Sequence, residues 1–421
     1  LLGGEVKAGF KKEYGPAELT IKKKSDLLVG IPSGIIVWMS HGDEVVRIPK
    51  DFQTIATTKT ILHAVAENKN KKIYGIQFHP EVVHTEFGTE VLENFIKICG
   101  LNARRSEIDE NFVENIIQDI KDSLGSAKAI CALSGGVDSS VAALLVNRAI
   151  GNNLVCIYIE SGLMRKDETE ILKAVFEKHY HMNIQIIDAK KEFLKGLKGI
   201  VDPEEKRKII GKTFVDIFER EAKKIDAKFL AQGTIYPDVI ESKGTKHAQI
   251  IKSHHNVGGL PGKMSLVLIE PLRNFYKDEV RKIGKILGLP DKIINRQPFP
   301  GPGLAVRIIG DVTEQKLEIL RKADTIVQEE IEKIILHKNL WQVFAVFTGI
   351  KTTGVRGDER AYGETIAIRA IEAQDAMSAN FARLPYELLD KISTRIVNEV
   401  KEVNRVVYDI TNKPPATMEW E

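Results

Sequence analysis

Hydrophobic and polar positions alternate in short runs over the first hundred residues. Between Glu5 and Cys99 the apolar runs are broken by turn signals such as Tyr14-Gly15-Pro16, which is typical of a compact β-rich unit. The predicted strands cover residues 17–21, 35–39 and 73–78, and a helix is predicted from 89 to 98. The polar stretch 101–110 that follows is interpreted as a linker.

Strand and helix patterns then alternate along the chain. Apolar residues recur at helical spacing from Phe112 to Leu124, and a buried strand leads into Ser134. Further strands are predicted at 154–159, 183–187 and 228–232, with helices at 168–179 and 203–224. This alternation predicts a parallel sheet with helices on both faces, whose ligands bind at the C-terminal ends of the strands.

The segment RQPFPGPGL at 296–304 contains three prolines and two glycines, so we predict neither helix nor strand there. Beyond it, helices at 313–336 and 386–400 and strands at 341–347, 365–371 and 405–410 indicate a small α+β domain. The prolines and Trp420 of the C-terminal tail favour a docked tail over a mobile one. The predicted domains are therefore 1–100, 101–296 and 297–421.

Composition excludes several classes of protein. The chain has 61 basic and 58 acidic residues without a basic stripe, so we expect no nucleic-acid partner. No apolar run approaches the roughly 18 residues that cross a membrane, so we expect no membrane segment. Three cysteines are too few for a disulfide framework, and Cys131 and Cys156 lie in predicted buried strands, which predicts a cytoplasmic protein.

The sequence SGGVDSS, from Ser134 to Ser140, joins the first strand of the parallel sheet to a helix. Glycines allow a sharp turn, and the start of the helix offers unpaired N–H groups and a positive dipole end, which suits an anion. No lysine follows the glycines, so this is not the GxxxxGK[ST] loop. It resembles the pyrophosphate-binding loop of the ATP pyrophosphatase family, whose members split ATP between its α- and β-phosphates.

Two later segments carry candidate chemistry. Asp238 and Glu241 are three residues apart, a spacing that lets two carboxylates on one side of a helical turn hold Mg²⁺, although a plain acidic helix start explains it equally well. The glycine-rich segment 251–261 contains Lys252 and is interpreted as a cationic lid that shields the substrate from water. Its paired histidines have no further ligands at a spacing that suits zinc.

Near the start of the chain, His79 and Glu81 are two residues apart in an extended segment, so the carboxylate can orient the imidazole. The strings GIQFHPEVVHT at 75–85 and WMSHGD at 38–43 resemble class I glutamine amidotransferases, in which an earlier cysteine completes the triad. None of the three cysteines here lies in a Gly-x-Cys-x-Gly setting. We therefore expect half of that domain to precede Leu1, and His79 to have no thiol to activate.

Six motifs together resemble the GMP synthetase family: SGGVDSS, KRKIIG at 206–211, GTIYPDVIES at 233–242, IKSHHNVGGLP at 251–261, PFPGPGL at 298–304 and the terminal KPPAT-EWE. The resemblance implies an α/β protein with a partial class I amidotransferase domain, a doubly wound parallel-sheet ATP pyrophosphatase domain and a C-terminal α+β dimerisation domain. It also implies that ATP and Mg²⁺ activate XMP as adenylyl-XMP with release of pyrophosphate. Ammonia, normally from glutamine, then displaces AMP and leaves GMP. A homodimer is expected.

The resemblance also assigns roles to individual residues. The pyrophosphate would be held by Ser134, Gly135, Gly136, Val137, Asp138, Ser139 and Ser140, and Asp138 would also bind the metal. Adenine would pack on Leu133, Ile159 and Phe214, and Lys277 would neutralise phosphate charge. The catalytic candidates are His79, Glu81, Asp238, Glu241 and Lys252. The XMP-binding candidates are Arg207, Gln342, Arg405, Lys413 and Glu419.

Two other classes of function stay open at this point. Another pyrophosphatase-loop enzyme, such as a tRNA-thiolating ligase or NAD synthetase, would predict catalytic cysteines near the loop or a basic RNA-binding face, and neither is evident. A non-catalytic glutamine-sensing module would explain the absent nucleophile, but the intact loop and lid speak against it.

Overall fold

The computed structural model describes residues 2–82, 84–101, 107–243, 266–334, 340–373 and 379–421. The chain divides into two compact units, Leu1–Ser106 and Glu107–Glu421. Within the described ranges, no helix combines the length and the apolar character that a membrane crossing requires.

The first unit is built on a five-stranded antiparallel sheet in the order β2-β1-β3-β4-β5. Its elements are β1 (Glu5–Ile21), β2 (Ile35–Arg47), β3 (Gln53–Thr57), β4 (Val65–Asn68), β5 (Ile73–Ile76) and α1 (Gly88–Ile98). Sequence patterning misses β3 and β4, because both are short and the polar residues Glu67 and Asn68 of β4 are buried. Glu67 of β4 is 1% exposed and accepts hydrogen bonds from Ser25 and Gln53.

The second unit contains the predicted parallel sheet, in the order β10-β9-β6-β7-β8. Its strands are β6 (Ala129–Ala132), β7 (Leu154–Glu160), β8 (Ile184–Asp188), β9 (Phe229–Ala231) and β10 (Val267–Ile269). Its helices are α2 (Glu110–Leu124), α3 (Val137–Ile150), α4 (Glu168–Leu172), α5 (Lys190–Leu197), α6 (Pro203–Ala222), α7 (Tyr236–Lys243), α8 (Lys277–Ile286) and α9 (Asp291–Ile294). The doubly wound α/β prediction is confirmed, since α5 and α6 share one hydrophobic cluster with the sheet while α2, α3 and α8 share another.

The position of β6 in the sheet predicts where a ligand binds. The chain continues from β6 through β7 and β8 on one side, and then returns to place β9 and β10 on the other. Strand order therefore reverses at β6, and ligands of open parallel sheets bind beyond the carboxyl ends of the strands at such a switch point. SGGVDSS follows β6 directly.

A four-stranded, mostly antiparallel sheet completes this unit, with β14 pairing parallel to β12. The elements are α10 (Glu314–Glu332), β11 (Gln342–Arg356), β12 (Glu359–Glu372), β13 (Asn380–Phe381), α11 (Tyr386–Glu399) and β14 (Val403–Asp409). Sequence patterning finds only the buried halves of β11 and β12. Their outer halves form a hairpin on which Val355 is 75% and Tyr362 71% exposed, so no alternation marks it.

The proline-rich connector between the two sheets is held by close packing. Leu304 N–H donates to Leu163 O at 2.7 Å. At Gly303 (φ +64°) a Cβ would collide with the same carbonyl, so glycine is required there. One hydrophobic cluster joins Ile130 of the parallel sheet to Leu304, Leu320 and Ile366 beyond the connector, so both sheets share a core. The division at residue 297 stays a prediction.

Candidate active site

The phosphate loop lies between β6 and α3. Gly135 adopts φ +77°, a conformation that favours glycine, and Gly136 is the N-cap residue of α3. No side chain caps this helix, so its first N–H groups are available to an anion. The backbone therefore has the form that the sequence predicts for an anion cradle.

Three hydroxyl groups hold the loop in shape. Ser134 Oγ and Ser139 Oγ are 2.9 Å apart, and Ser139 Oγ donates to Gly136 O at 3.0 Å. Ser140 Oγ donates to the same carbonyl at 2.7 Å, and Ser140 is fully buried. Ser134 and Ser139 are thus placed to rotate towards a phosphate oxygen, whereas Ser140 supports the loop from beneath.

An ion pair joins the loop to the start of α8. Lys277 Nζ lies 2.5 Å from Asp138 Oδ2, so the two predicted phosphate and metal residues meet. The other oxygen, Asp138 Oδ1, is buried and has no hydrogen-bond partner among the described residues. An unpartnered carboxylate oxygen beside an anion cradle suits Mg²⁺, which takes one or two carboxylates together with phosphate and water ligands. Within the described part of the chain, no three acidic, histidine or cysteine side chains group into a metal site.

The strand-to-helix turn after β9 packs against the first turn of α3. A Cβ built on Gly233 would lie 2.8 Å from the carbonyl carbon and oxygen of Asp138 and 2.9 Å from Ser139 N. In the next turn, Asp238 Oδ2 accepts the Ile235 N–H at 3.0 Å. The side chain of Glu241 and all of Lys252, with the lid around it, lie outside the described residues, so their roles stay predictions.

The three predicted adenine contacts occupy two hydrophobic clusters. Leu133 is 3% exposed and packs in the cluster that contains Cys131 and Tyr158. Ile159 and Phe214 pack in the other cluster, where the Phe214 ring lies 4.6 Å from that of Phe193. The structure therefore groups Ile159 with Phe214 and places Leu133 in the neighbouring cluster.

Two predicted XMP residues, Gln342 of β11 and Glu419 of the C-terminal tail, are in contact. Glu419 accepts two hydrogen bonds from Arg307 Nε and Nη2, both at 2.9 Å, and one from Gln342 Nε2 at 2.7 Å. Arg307 is fully buried, and its guanidinium carbon lies 3.9 Å from the centroid of the Phe344 ring. Charge pairing in such a buried setting fixes the position of the Glu419 carboxylate.

The rest of the tail is docked, as the sequence predicts. Arg369 is fully buried and donates to Thr417 O at 2.6 Å and to Met418 O at 3.0 Å. Lys206 is also fully buried, donates to Ile308 O at 2.7 Å and pairs with the Glu421 carboxylate. Burial lowers the pKa of Lys206.

The other three XMP candidates are spread along the unit. Arg207 donates to the main-chain carbonyl of Glu421, which places it at the tail. Lys413 exchanges two backbone hydrogen bonds with Ala379, at 2.8 and 3.0 Å.

Arg405 lies apart from these residues. It pairs in register with Thr365 on β12, whereas Gln342 pairs with Ile371. At about 3.3 Å per strand residue, those two positions on β12 are about 20 Å apart. One chain therefore does not bring Arg405 to Gln342.

In the first unit, the predicted histidine and glutamate form a dyad. His79 Nδ1 lies 2.8 Å from Glu81 Oε1, and the His79 N–H donates to Trp38 O at 3.0 Å. The two strings that resemble an amidotransferase are therefore neighbours. A carboxylate at Nδ1 favours the tautomer whose Nε2 accepts a proton, which is the state that a thiol nucleophile needs.

Sequence reasoning does not single out four residues that support these sites: Lys206, Gly233, Arg296 and Arg307. Lys206 and Gly233 lie within recognised motifs, but neither has a spacing that predicts its role. The carboxylate that pairs with Arg307, on Glu419, lies more than a hundred positions away, so no local period reveals the pair. In the sequence, the role of Arg307 is indicated only by its position as a charged residue within the apolar run LAVRII.

Three family models match parts of the chain. Residues 1–99 match the family model for class I glutamine amidotransferases, 109–209 that for NAD synthase, and 329–420 that for the GMP synthase C-terminal domain.

Relatives named glutamine-hydrolysing GMP synthases are also similar. Those of Caldicellulosiruptor saccharolyticus and Clostridium acetobutylicum are 53% and 54% identical, and each comparison covers 100% of this chain and 82% of the relative. That of Thermotoga maritima is 54% identical over 100% of this chain and 83% of its own.

Proposed function

The chain belongs to the GMP synthase family, and on that premise we propose how its residues carry out the ATP-dependent amination of XMP to GMP. The proposal rests on the start of α3, which lies within SGGVDSS and has no side-chain cap. Lys277 and the unpartnered oxygen of Asp138 lie beside it. ATP is the substrate that this loop holds.

In the first step, the C2 oxygen of XMP attacks the α-phosphorus of ATP. The bond between the α-phosphorus and the bridging oxygen breaks, and pyrophosphate leaves with that electron pair. The N–H groups of the loop, the Ser134 and Ser139 hydroxyls and the Lys277 ammonium stabilise the negative charge of the leaving group. Asp138 would hold Mg²⁺, which supplies further neutralisation of phosphate charge.

In the second step, ammonia attacks C2 of adenylyl-XMP and AMP departs with the oxygen. Adenylation is needed because an amide-like oxygen is a poor leaving group until it carries a phosphate. Asp238 is our candidate to accept the proton that the attacking nitrogen loses. Its hydrogen bond from Ile235 N–H fixes the carboxylate in the segment that follows β9, and Gly233 of the same segment packs against the first turn of α3.

XMP would bind along the docked tail, which supplies Lys413 and Glu419, together with Arg207 of α6 and Gln342 of β11. The β12 residues that pair with Arg405 and with Gln342 are about 20 Å apart, so we propose that Arg405 serves the site of a second copy. The outer hairpin of β11 and β12 supports a homodimer, since Ile350, Val355 and Tyr362 expose large apolar side chains there.

The His79–Glu81 dyad would serve glutamine hydrolysis together with a cysteine nucleophile. No cysteine of these 421 residues lies in the required elbow. A polypeptide of this length should therefore use ammonia. The three domain roles, the exclusion of nucleic acid and a cytoplasmic location stay predictions of this proposal.

A thiolating ligase receives no support from the cysteines near the loop. Cys131 and Cys156 are buried, and the side-chain hydrogen bond of Cys156 with Cys131, together with burial, raises the pKa of Cys156. A buried thiol with a raised pKa carries little thiolate, so Cys156 does not suit a nucleophile. Cys131 is enclosed in the same hydrophobic cluster, away from solvent.

The 421-residue chain should make GMP and AMP from XMP, ATP and Mg²⁺ with ammonium, and should make neither with glutamine. The measurement is chromatographic detection of both nucleotides, with a reaction lacking XMP as the control. Failure to release AMP with ammonium would overturn the proposed function. Turnover with glutamine would overturn only the restriction to ammonia.

A further inference from the structure

We propose that Arg296 is a positioning residue that fixes the orientation of the peptide between Gly135 and Gly136 in the phosphate loop. The inference rests on the proposed function of that loop as the ATP site. Arg296 Nη1 donates to Gly135 O at 3.0 Å, and Arg296 Nη2 donates to Glu168 Oε1 at 2.6 Å. Arg296 is therefore hydrogen-bonded to the backbone of the loop and to the start of α4.

The orientation of this peptide matters because its N–H carries a partial positive charge and its carbonyl oxygen a partial negative charge. The Gly136 N–H points to the Ser134 hydroxyl at 3.3 Å, on the side of the loop where the hydroxyls lie. Rotation of the peptide plane would replace that N–H with the Gly135 carbonyl oxygen and present negative charge to a phosphate. Glycine on both sides of a peptide makes such a rotation easy, since neither residue has a Cβ to restrict it.

Arg296 opposes this rotation by holding the carbonyl oxygen on the outside of the loop. The contact is close, since a Cβ built on Gly135 would lie 3.3 Å from Arg296 Nη1. The side chains of Arg296 and Glu168 are only 20% and 13% exposed, so water competes weakly for these hydrogen bonds. The planar fork of arginine reaches both acceptors at once, which a lysine ammonium does not reproduce.

A positioning role and a purely structural role for Arg296 differ in the quantities that a substitution would change. If the role were purely structural, substituting Arg296 would lower thermal stability and weaken the binding of both substrates to a similar extent. A residue that orients one peptide of the anion cradle should weaken the binding of ATP far more than the binding of XMP, since Arg296 donates to Gly135 and Glu168 and neither is an XMP candidate. The separation of these two affinities is therefore the informative readout.

The test compares R296Q, R296K and E168Q with the control R148Q. Arg148 also donates to a main-chain carbonyl, Leu287 O at 3.2 Å, and pairs with a glutamate, Glu114 at 3.8 Å, but it lies at the end of α3 away from the loop. Calorimetry gives the Kd of ATP with Mg²⁺ and of XMP, and steady-state assays with ammonium give KM and kcat. Adding methylguanidinium to R296A tests chemical rescue, with tetramethylammonium as the salt control.

The expected result is a Kd for ATP raised about 10- to 100-fold in R296Q, the loss expected for a charge-assisted hydrogen bond. E168Q and R296K should show smaller increases, R148Q none, and methylguanidinium should restore ATP binding in R296A. Wild-type affinity for ATP in R296Q, or equal losses of ATP and XMP affinity, would overturn the role of Arg296. A wild-type chain that binds ATP but releases no AMP would instead contradict the proposed function.

Discussion

Replacing Asp138 by alanine should lower AMP formation from XMP, ATP and ammonium by about 100- to 1000-fold, the range seen when a preorganised group at a reacting phosphate or oxyanion is removed. Asp138 is the loop residue that combines an ion pair to Lys277 with a buried, unpartnered oxygen. Its loss removes the carboxylate that would bind Mg²⁺ and also releases Lys277 from its position. The rate of AMP release at saturating substrates is the measurement.

The fold should survive this substitution. The ion pair is partly exposed, with Asp138 at 27% and Lys277 at 43%, and exposed ion pairs contribute only about 0 to 1 kcal/mol. The melting temperature should therefore change little while activity is lost. D119A, at an exposed aspartate of α2, is the matched control and should retain activity. Near-normal rates for D138A would remove the phosphate loop from the mechanism.

Replacing Gly233 by alanine should also abolish most activity, although Gly233 contacts no substrate in the proposal. The new Cβ would lie 2.8 Å from the Asp138 carbonyl, so α3 and its loop must move by several tenths of an ångström or more. Small displacements of reacting groups can lower rates about 100-fold, and overpacking costs about 1 to 3 kcal/mol of stability. We expect a rise in the KM for ATP and a fall in kcat.

The matched control is G211A, within α6, where a Cβ would meet nothing within 4 Å. Alanine is favoured over glycine inside a helix by about 1 kcal/mol, so this variant should be as stable as the wild type or more stable. Its KM for ATP should be unchanged. If G233A binds and uses ATP like the wild type, the packing of β9 against the phosphate loop does not position the site.

The sequence predicts the architecture of this chain well where burial follows a simple period. The strand before SGGVDSS and the alternating helices identify the parallel sheet, and the positions of β6 to β9 agree with that pattern. The prediction is poorer where polar residues are buried or apolar residues exposed. β4 contains the buried Glu67, and the outer hairpin exposes Val355 and Tyr362, so neither shows the expected alternation.

The residues of the candidate site also fall into those that the sequence predicts and those that it does not. Residues whose role follows from local geometry, such as His79 with Glu81 or the glycines of the phosphate loop, are accessible to sequence reasoning. Arg296 and Arg307 act through partners more than a hundred positions away in the chain, at Gly135 and Glu419. Only the three-dimensional contacts reveal them, because neither periodicity nor spacing encodes a pairing at that separation.

The proposed mechanism requires that XMP is activated by transfer of an adenylyl group to its C2 oxygen. Turnover of XMP that carries a heavy oxygen isotope at C2, with ATP, Mg²⁺ and ammonium, tests this directly by mass spectrometry of the products. This transfer predicts that the heavy oxygen appears in the phosphate of AMP and is absent from pyrophosphate and water. Heavy oxygen in pyrophosphate or water, with unlabelled AMP, would contradict it.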